Sequence, residues 1–220
     1  MANAFLNSYR PLCSTATGRR AIDAQDLAPF VDGSCRREPD FEARYPTISA
    51  LCRTTNFAPR LHPGDRIAYL TCNLRLPGDT APMRRIVALL EVLHRFERHE
   101  DAADWHRQKG IRLPVNCLVS GNRPLPLDQT SGLRARDRRR FQAARGPKVA
   151  VRNWDAAYKV RAEKCGVLLV CQPLFLELQF PPLVTRDEIL RIFGRIPGTQ
   201  TPPRITAHEF SALSRLVQAR

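Results

Sequence analysis

The 220 residues suffice for one substantial core, or for one core with a small appended unit, and 43% hydrophobic with 25% charged residues is an ordinary globular composition that argues against disorder. The 35 Lys plus Arg against 21 Asp plus Glu leave a formal net charge of +14, and the excess sits almost wholly on Arg, whose planar fork grips phosphates and guanine edges, so nucleic acid is favoured over an acidic protein as partner. No basic-apolar-small leader opens the chain, no apolar run approaches the roughly 18 residues of a membrane helix, and the seven cysteines show neither a CxxC pair nor zinc-ligand spacing, so a cytoplasmic protein with reduced thiols, no metal and no membrane role is expected.

Residues 4–9 form a short apolar run suited to a first strand, followed by a Ser/Thr/Gly-rich loop over 11–18 and helix signals over 21–30. Residues 30–42 then crowd Asp32, Glu38, Asp40 and Glu42 together with Arg36 and Arg37, while Gly33 and Pro39 break regular structure, which predicts a functional loop or a self-neutralising one. Residues 45–53 fit either a strand or a helical turn. His62-Pro63-Gly64-Asp65 is a turn, and residues 66–72 alternate as a half-buried strand. Turn chemistry within 74–82 precedes residues 85–96, whose dense apolar and β-branched side chains predict a buried strand, with a helix as the rival.

Residues 99–110 read as a helix, with acids in the first turn, bases in the last and Gly110 at the C-cap. An irregular connection over 114–127 leads to the densest basic run, 133–141. A helix over 153–164, a strand-like run over 167–178 interrupted by Pro173, and a helix over 185–194 opened by a Thr-x-x-Glu capping box follow. A Pro-rich linker over 197–203 joins the last helix, 206–218, which has the same opening. There is no internal repeat.

At Leu51-Cys52-Arg53, Phe57-Ala58-Pro59-Arg60-Leu61 and Gly64-Asp65-Arg66-Ile67-Ala68-Tyr69 the chain resembles small PUA-like domains. The resemblance is closest to nucleotide-modification-associated domains, more loosely to EVE and ASCH domains, and covers about the first third of the chain. It implies an α+β fold: an open PUA-like β-barrel with flanking helices and a pocket for an unusual or flipped base. With the basic helical C-terminal extension, this gives a base-recognition domain over 1–180 and an extension packed on it over 181–220.

A base-flipping pocket needs little more to cleave an N-glycosidic bond than a carboxylate, to stabilise the sugar cation or activate water, and a donor for the departing base. Asp32 is the first candidate for that carboxylate, with Glu38 and Asp40 as alternates; an Asx-turn cap is the competing role for Asp32. Arg36 and Arg37 suit a flanking phosphate. Tyr9 suits a stacking platform or a core position, Arg10 a phosphate or base contact, and Asn116 a base edge, a bound water or a satisfied loop amide. Arg138, Arg139 and Arg140 suit the DNA backbone. Asp65 reads as a turn residue, Lys159 as solvated, and His94, His99 and His106 do not share one helical face.

No P-loop, GxGxxG, GxSxG or zinc-deaminase motif occurs. The expectation is a cofactor-free DNA-binding protein that flips and excises a modified base, a metal-free monofunctional DNA glycosylase serving antiviral defence. The alternative is a non-catalytic reader of modified bases in DNA or RNA.

Overall fold

In the computed structural model, which describes residues 2–51, 53–198 and 201–219, seven strands and six α-helices make a mixed α and β fold around one open sheet. The strands are β1 (Ala4–Tyr9), β2 (Thr47–Ser49), β3 (Arg66–Thr71), β4 (Arg84–Phe96), β5 (Leu168–Leu176), β6 (Leu183–Val184) and β7 (Arg204–Ile205). They lie in the order β2-β5-β4-β3-β1-β7, with β6 on β4. Among the described strand pairs only β1 and β3 run parallel. The 13-residue β4 is the spine, pairing antiparallel with β3 and β5 and absorbing register shifts against both. Its centre is buried and carries a continuous apolar run because both sheet faces are covered, which settles strand over helix here.

Alternating side chains divide the interior. Phe5, Ile67, Tyr69, Leu169 and Cys171 face a cluster roofed by Cys13, Phe30, Phe41, Phe57 and Leu61, so the long segment between β1 and β3 forms the lid of this face. Leu6, Ala68, Leu70 and Ile86 pack with Ile189 and Phe210 from the C-terminal helices α5 (Arg186–Phe193) and α6 (Ala207–Gln218). Both helices open with the expected capping box, at Thr185 with Glu188 and Thr206 with Glu209. Residues beyond 180 therefore contribute β6 and β7 to the sheet as well as two helices.

The first helix, α1 (Ala16–Gln25), starts five residues before the expected one because Thr15 accepts a hydrogen bond from the Gly18 N–H and caps it. Asp26, at φ 50°, stops it, so residues 27–30 are not helical. Gly18 is required inside α1: a Cβ there would lie 1.8 Å from the Leu12 carbonyl oxygen. The described residues of the ambiguous stretch 45–53 contribute only β2. The helix α2 (His99–Gln108) matches its charge pattern, the basic run forms the short α3 (Ala135–Arg140), and α4 (Pro147–Lys164) begins six residues before the expected helix, with Pro147 in its first turn. Cys52, part of the resemblance, and Thr199 and Gln200 of the Pro-rich linker lie outside the described residues. No helix among the described residues is long and apolar enough to cross a membrane.

Candidate functional site

The segment 30–42 is buried except at Ser34 and Glu42, and is tied down by its own arginines. Arg36 is 1% exposed, pairs with Asp155 of α4 at 2.5 Å, and donates to the Val115 and Asn122 carbonyls at 3.0 and 3.2 Å. Arg37, also 1% exposed, sits at φ 43° and donates to Glu42 at 3.0 Å and to the carbonyls of Asp32 and Gln129 at 2.5 and 2.9 Å. These bonds hold the unusual backbone in place. The expected phosphate contacts of Arg36 and Arg37 are thus corrected: both guanidiniums are consumed inside the protein, where they satisfy carbonyls that would otherwise be buried unpaired.

Asp40 is corrected likewise. Its carboxylate accepts the Val115 N–H at 2.6 Å and the Glu42 N–H at 3.1 Å, and its backbone bridges to Thr47. It is a scaffold residue.

Asp32 and Glu38 remain together. They line a cleft of about 310 Å³ whose other walls include Asn7, Tyr9, Arg10, Ser49, Arg53 and Tyr69. The parallel register sets Asn7 beside Tyr69, so adjacent strands aim both side chains at this cleft. Asp32 Oδ1 accepts the Ser34 and Glu38 N–H groups at 2.8 and 3.0 Å, the Asx-type role, while its carboxyl also lines the cleft. Burial raises its pKa, opposed by the bonds from Ser34 and Glu38.

Glu38 accepts from the Ser49 hydroxyl and N–H and from Asn116 Nδ2, the last at 3.1 Å. Burial outweighs these donors and pushes its pKa up to about 8, so the cleft contains a carboxylic acid that keeps its proton at neutral pH. Asn116 is completely buried: it also donates to the Thr47 carbonyl and accepts from the Thr47 hydroxyl at 2.7 Å, so it orients Glu38 from behind. Tyr9, 7% exposed, donates its hydroxyl to the Phe30 carbonyl and packs edge-on against Phe41 and Tyr69 at 5.4 and 6.1 Å. It walls the cleft and is a core residue at once.

Arg10 and Asp32 also belong to a larger groove of about 1010 Å³. Its far bank carries Arg134, Arg136 and Arg140 around α3, and Trp154, Tyr158 and Arg161 at helical spacing along α4. Phe141, Trp154 and Tyr158 form a ring stack, with centroids 6.4 and 6.3 Å apart and interplanar angles of 19° and 28°. Of the three expected arginines, Arg140 lines this groove and lies over Phe141, whereas Arg138 and Arg139 are outside its lining.

Elsewhere, Asp65 accepts the Asn3 and His62 N–H groups and is a turn anchor, and Lys159 is exposed and 3.4 Å from Asp155. His94 lies on β4, His99 and His106 on α2, and burial lowers the His99 pKa to about 4. Among the described residues no group of three or more His, Cys, Asp or Glu side chains could hold a metal ion. Sequence reasoning missed Asn7, Ser49, Arg53 and Tyr69. Only Tyr69 left a signal, an aromatic hydroxyl on the buried strand face it shares with Ile67. It missed the groove residues Trp154, Tyr158 and Arg161 too, although their spacing of four and three puts them on one helix face. Comparison of the chain with family models, with curated proteins and with solved structures finds no match.

Proposed function

We propose that this chain binds DNA along the arginine-lined groove, draws one modified nucleobase into the Asp32–Glu38 cleft and hydrolyses its N-glycosidic bond, on a scaffold of PUA-like type. The observation that carries this reading is the junction of the two cavities at Arg10 and Asp32: a positively charged, aromatic track leads directly to a small cleft holding two buried carboxyl groups. Arginine and aromatic side chains together suit backbone phosphates and unstacked bases. A cleft near the lower end of ligand-pocket volumes suits one base rather than an extended ligand.

The roles follow from protonation. Glu38, protonated at neutral pH, gives its proton to the departing base as the bond from the sugar C1′ to the base nitrogen breaks. Asp32 stabilises the developing sugar cation and takes a proton from the water whose hydroxyl adds to C1′. The products are the free base and an abasic sugar, and water supplies all the atoms added. Arg10, at the mouth, contacts the flanking phosphate, and Tyr9 and Tyr69 wall the base.

A reader of modified bases is the second reading, favoured by the engagement of Asp32 Oδ1 with two backbone N–H groups, which limits that carboxylate's freedom to act on water. Incubation with unmodified, hydroxymethylated and glucosylated DNA, followed by assays for free base and alkali-labile sites, separates the two. Release from a modified duplex that is lost in Asp32→Asn supports excision. Tight binding without release supports the reader.

A further inference from the structure

Phe180 is 88% exposed, more than any other large apolar residue described, yet the backbone beneath it is held firmly. The Glu177 carboxylate accepts the N–H groups of Gln179 and Phe180 at 2.6 and 3.0 Å. On one side Leu178 packs against the main core cluster and its carbonyl accepts the Phe30 N–H at 3.1 Å; on the other Pro181 is buried and the Pro182 carbonyl accepts the Ile86 N–H at 3.0 Å. A lone exposed apolar side chain on a mobile loop is ordinary. An aromatic ring presented to solvent by a loop anchored on both flanks is a pre-organised probe.

Its position relates it to the cleft. Asn7, Tyr69, Ala88 and Leu176 are successive partners across β1, β3, β4 and β5, so one row of the sheet joins the cleft wall to the end of β5 over three strand spacings, about 14 Å. Because β4 runs antiparallel to both neighbours, the chain leaves β5 at the same end of the sheet at which β1 delivers Arg10. The bond from Phe30 to Leu178 ties the Phe180 loop to the segment that carries Asp32 two residues later. Arg75, on the connection between β3 and β4, and Arg84, at the start of β4, add positive charge at this end, while Arg85 is paired with Asp79 at 2.6 Å.

We infer that Phe180 is the insertion residue of the proposed base-flipping site: its ring enters the base stack and holds open the space vacated by the base in the cleft. The inference rests on the reading of the cleft as a base pocket. Apolar wedges that enter a duplex offset the unstacking that extrusion requires, and a single strand needs no such help. Phe180 is therefore a positioning residue, and what it determines is preference for duplex over single-stranded substrate.

The test uses the full chain with a 5-hydroxymethylcytosine duplex carrying 2-aminopurine beside the modified base, and with the same strand unpaired. The unaltered protein should raise 2-aminopurine fluorescence in the duplex. Phe180→Ala should lower that rise and the duplex base-release rate by about tenfold, consistent with removal of one stacked ring, leave the single strand unaffected, and keep its melting temperature. Phe180→Trp should restore the duplex signal. Equal behaviour of Phe180→Ala and the unaltered protein on both substrates, or an equal loss on both, would overturn the insertion while leaving the base-pocket reading intact. A change in self-association on Phe180→Ala with duplex activity retained would assign the ring to a contact between copies and overturn it as well. An unaltered protein that neither binds nor perturbs either substrate would overturn the base-pocket reading and the insertion together.

Discussion

Glu38 links the chemistry of the cleft to stability through one proton. Burial raises its pKa from 4.5 to about 8, so the folded state holds the proton more tightly than the unfolded state does. Its contribution is fully present below about pH 4.5 and is lost progressively as pH rises toward about 8, and the raised pKa values of Asp32 and Asp40 act in the same direction. Glu38→Gln, which cannot ionise, should flatten that decline, so that unfolding free energies measured by denaturation from pH 5 to 9 shift in favour of the variant by an amount on the order of a few kcal/mol at the alkaline end. Parallel curves for the two proteins would show that Glu38 does not carry a raised pKa. In the proposed reaction the same proton would set the alkaline limb: a general acid working through Glu38 loses its proton as pH passes about 8. Asp32 and Glu38 were visible in the sequence as acids in a turn-rich segment. Arg36, Arg37 and Asp40 looked alike there but turn inward, because their partners, Asp155, Gln129 and Val115, are between 75 and 119 residues away and local sequence does not name them.

At the level of elements, the lid segment between β1 and β3 is held by close backbone approach more than by regular structure. Gly33 lies against Ser131: their backbones are joined by a 2.8 Å bond, and a Cβ on Gly33 would fall 2.6 Å from the Ser131 Cβ. Gly33→Ala should therefore destabilise the protein by about 1–3 kcal/mol, the usual range for overpacking, and a second change, Ser131→Gly, should recover part of that loss in a double-mutant cycle measured by denaturation. Additive losses would mean that the two residues do not meet. This segment explains why some elements were legible and others not. β3, β4, α2 and α6 carry period-two or continuous apolar runs, dipole-matched charges or a capping box, all local signals. β2 and β7 are three and two residues long and exist because β5 and β1 offer them an edge, which no local pattern records. Pro173 stays within β5, at a register shift against β4 between Leu89 and Leu90, so the apparent interruption is an irregularity of pairing rather than an end.

Across the whole molecule, the +14 charge acquires a direction from the groove, since Arg134, Arg136, Arg140 and Arg161 line it while Arg138 and Arg139 stand apart. Reversing Arg134, Arg136 and Arg140 to Glu should lower DNA affinity and make the slope of log affinity against log salt shallower by about 0.9 for every phosphate that is no longer neutralised. Reversing Arg138 and Arg139 should change the slope less, and an equal effect of the two sets would show that the groove is not the path of the backbone. The paired carboxyl groups where this path meets the cleft are the centre of the proposed chemistry. Single-turnover release of free base from a hydroxymethylated or glucosylated duplex, followed from pH 6 to 9.5 for the unaltered protein and Glu38→Gln, tests them most directly. Release should decline above about pH 8 in the unaltered protein and be absent in Glu38→Gln, while both bind the duplex equally well. Release by Glu38→Gln at the unaltered rate, or with the same alkaline decline, would rule out Glu38 as the proton donor.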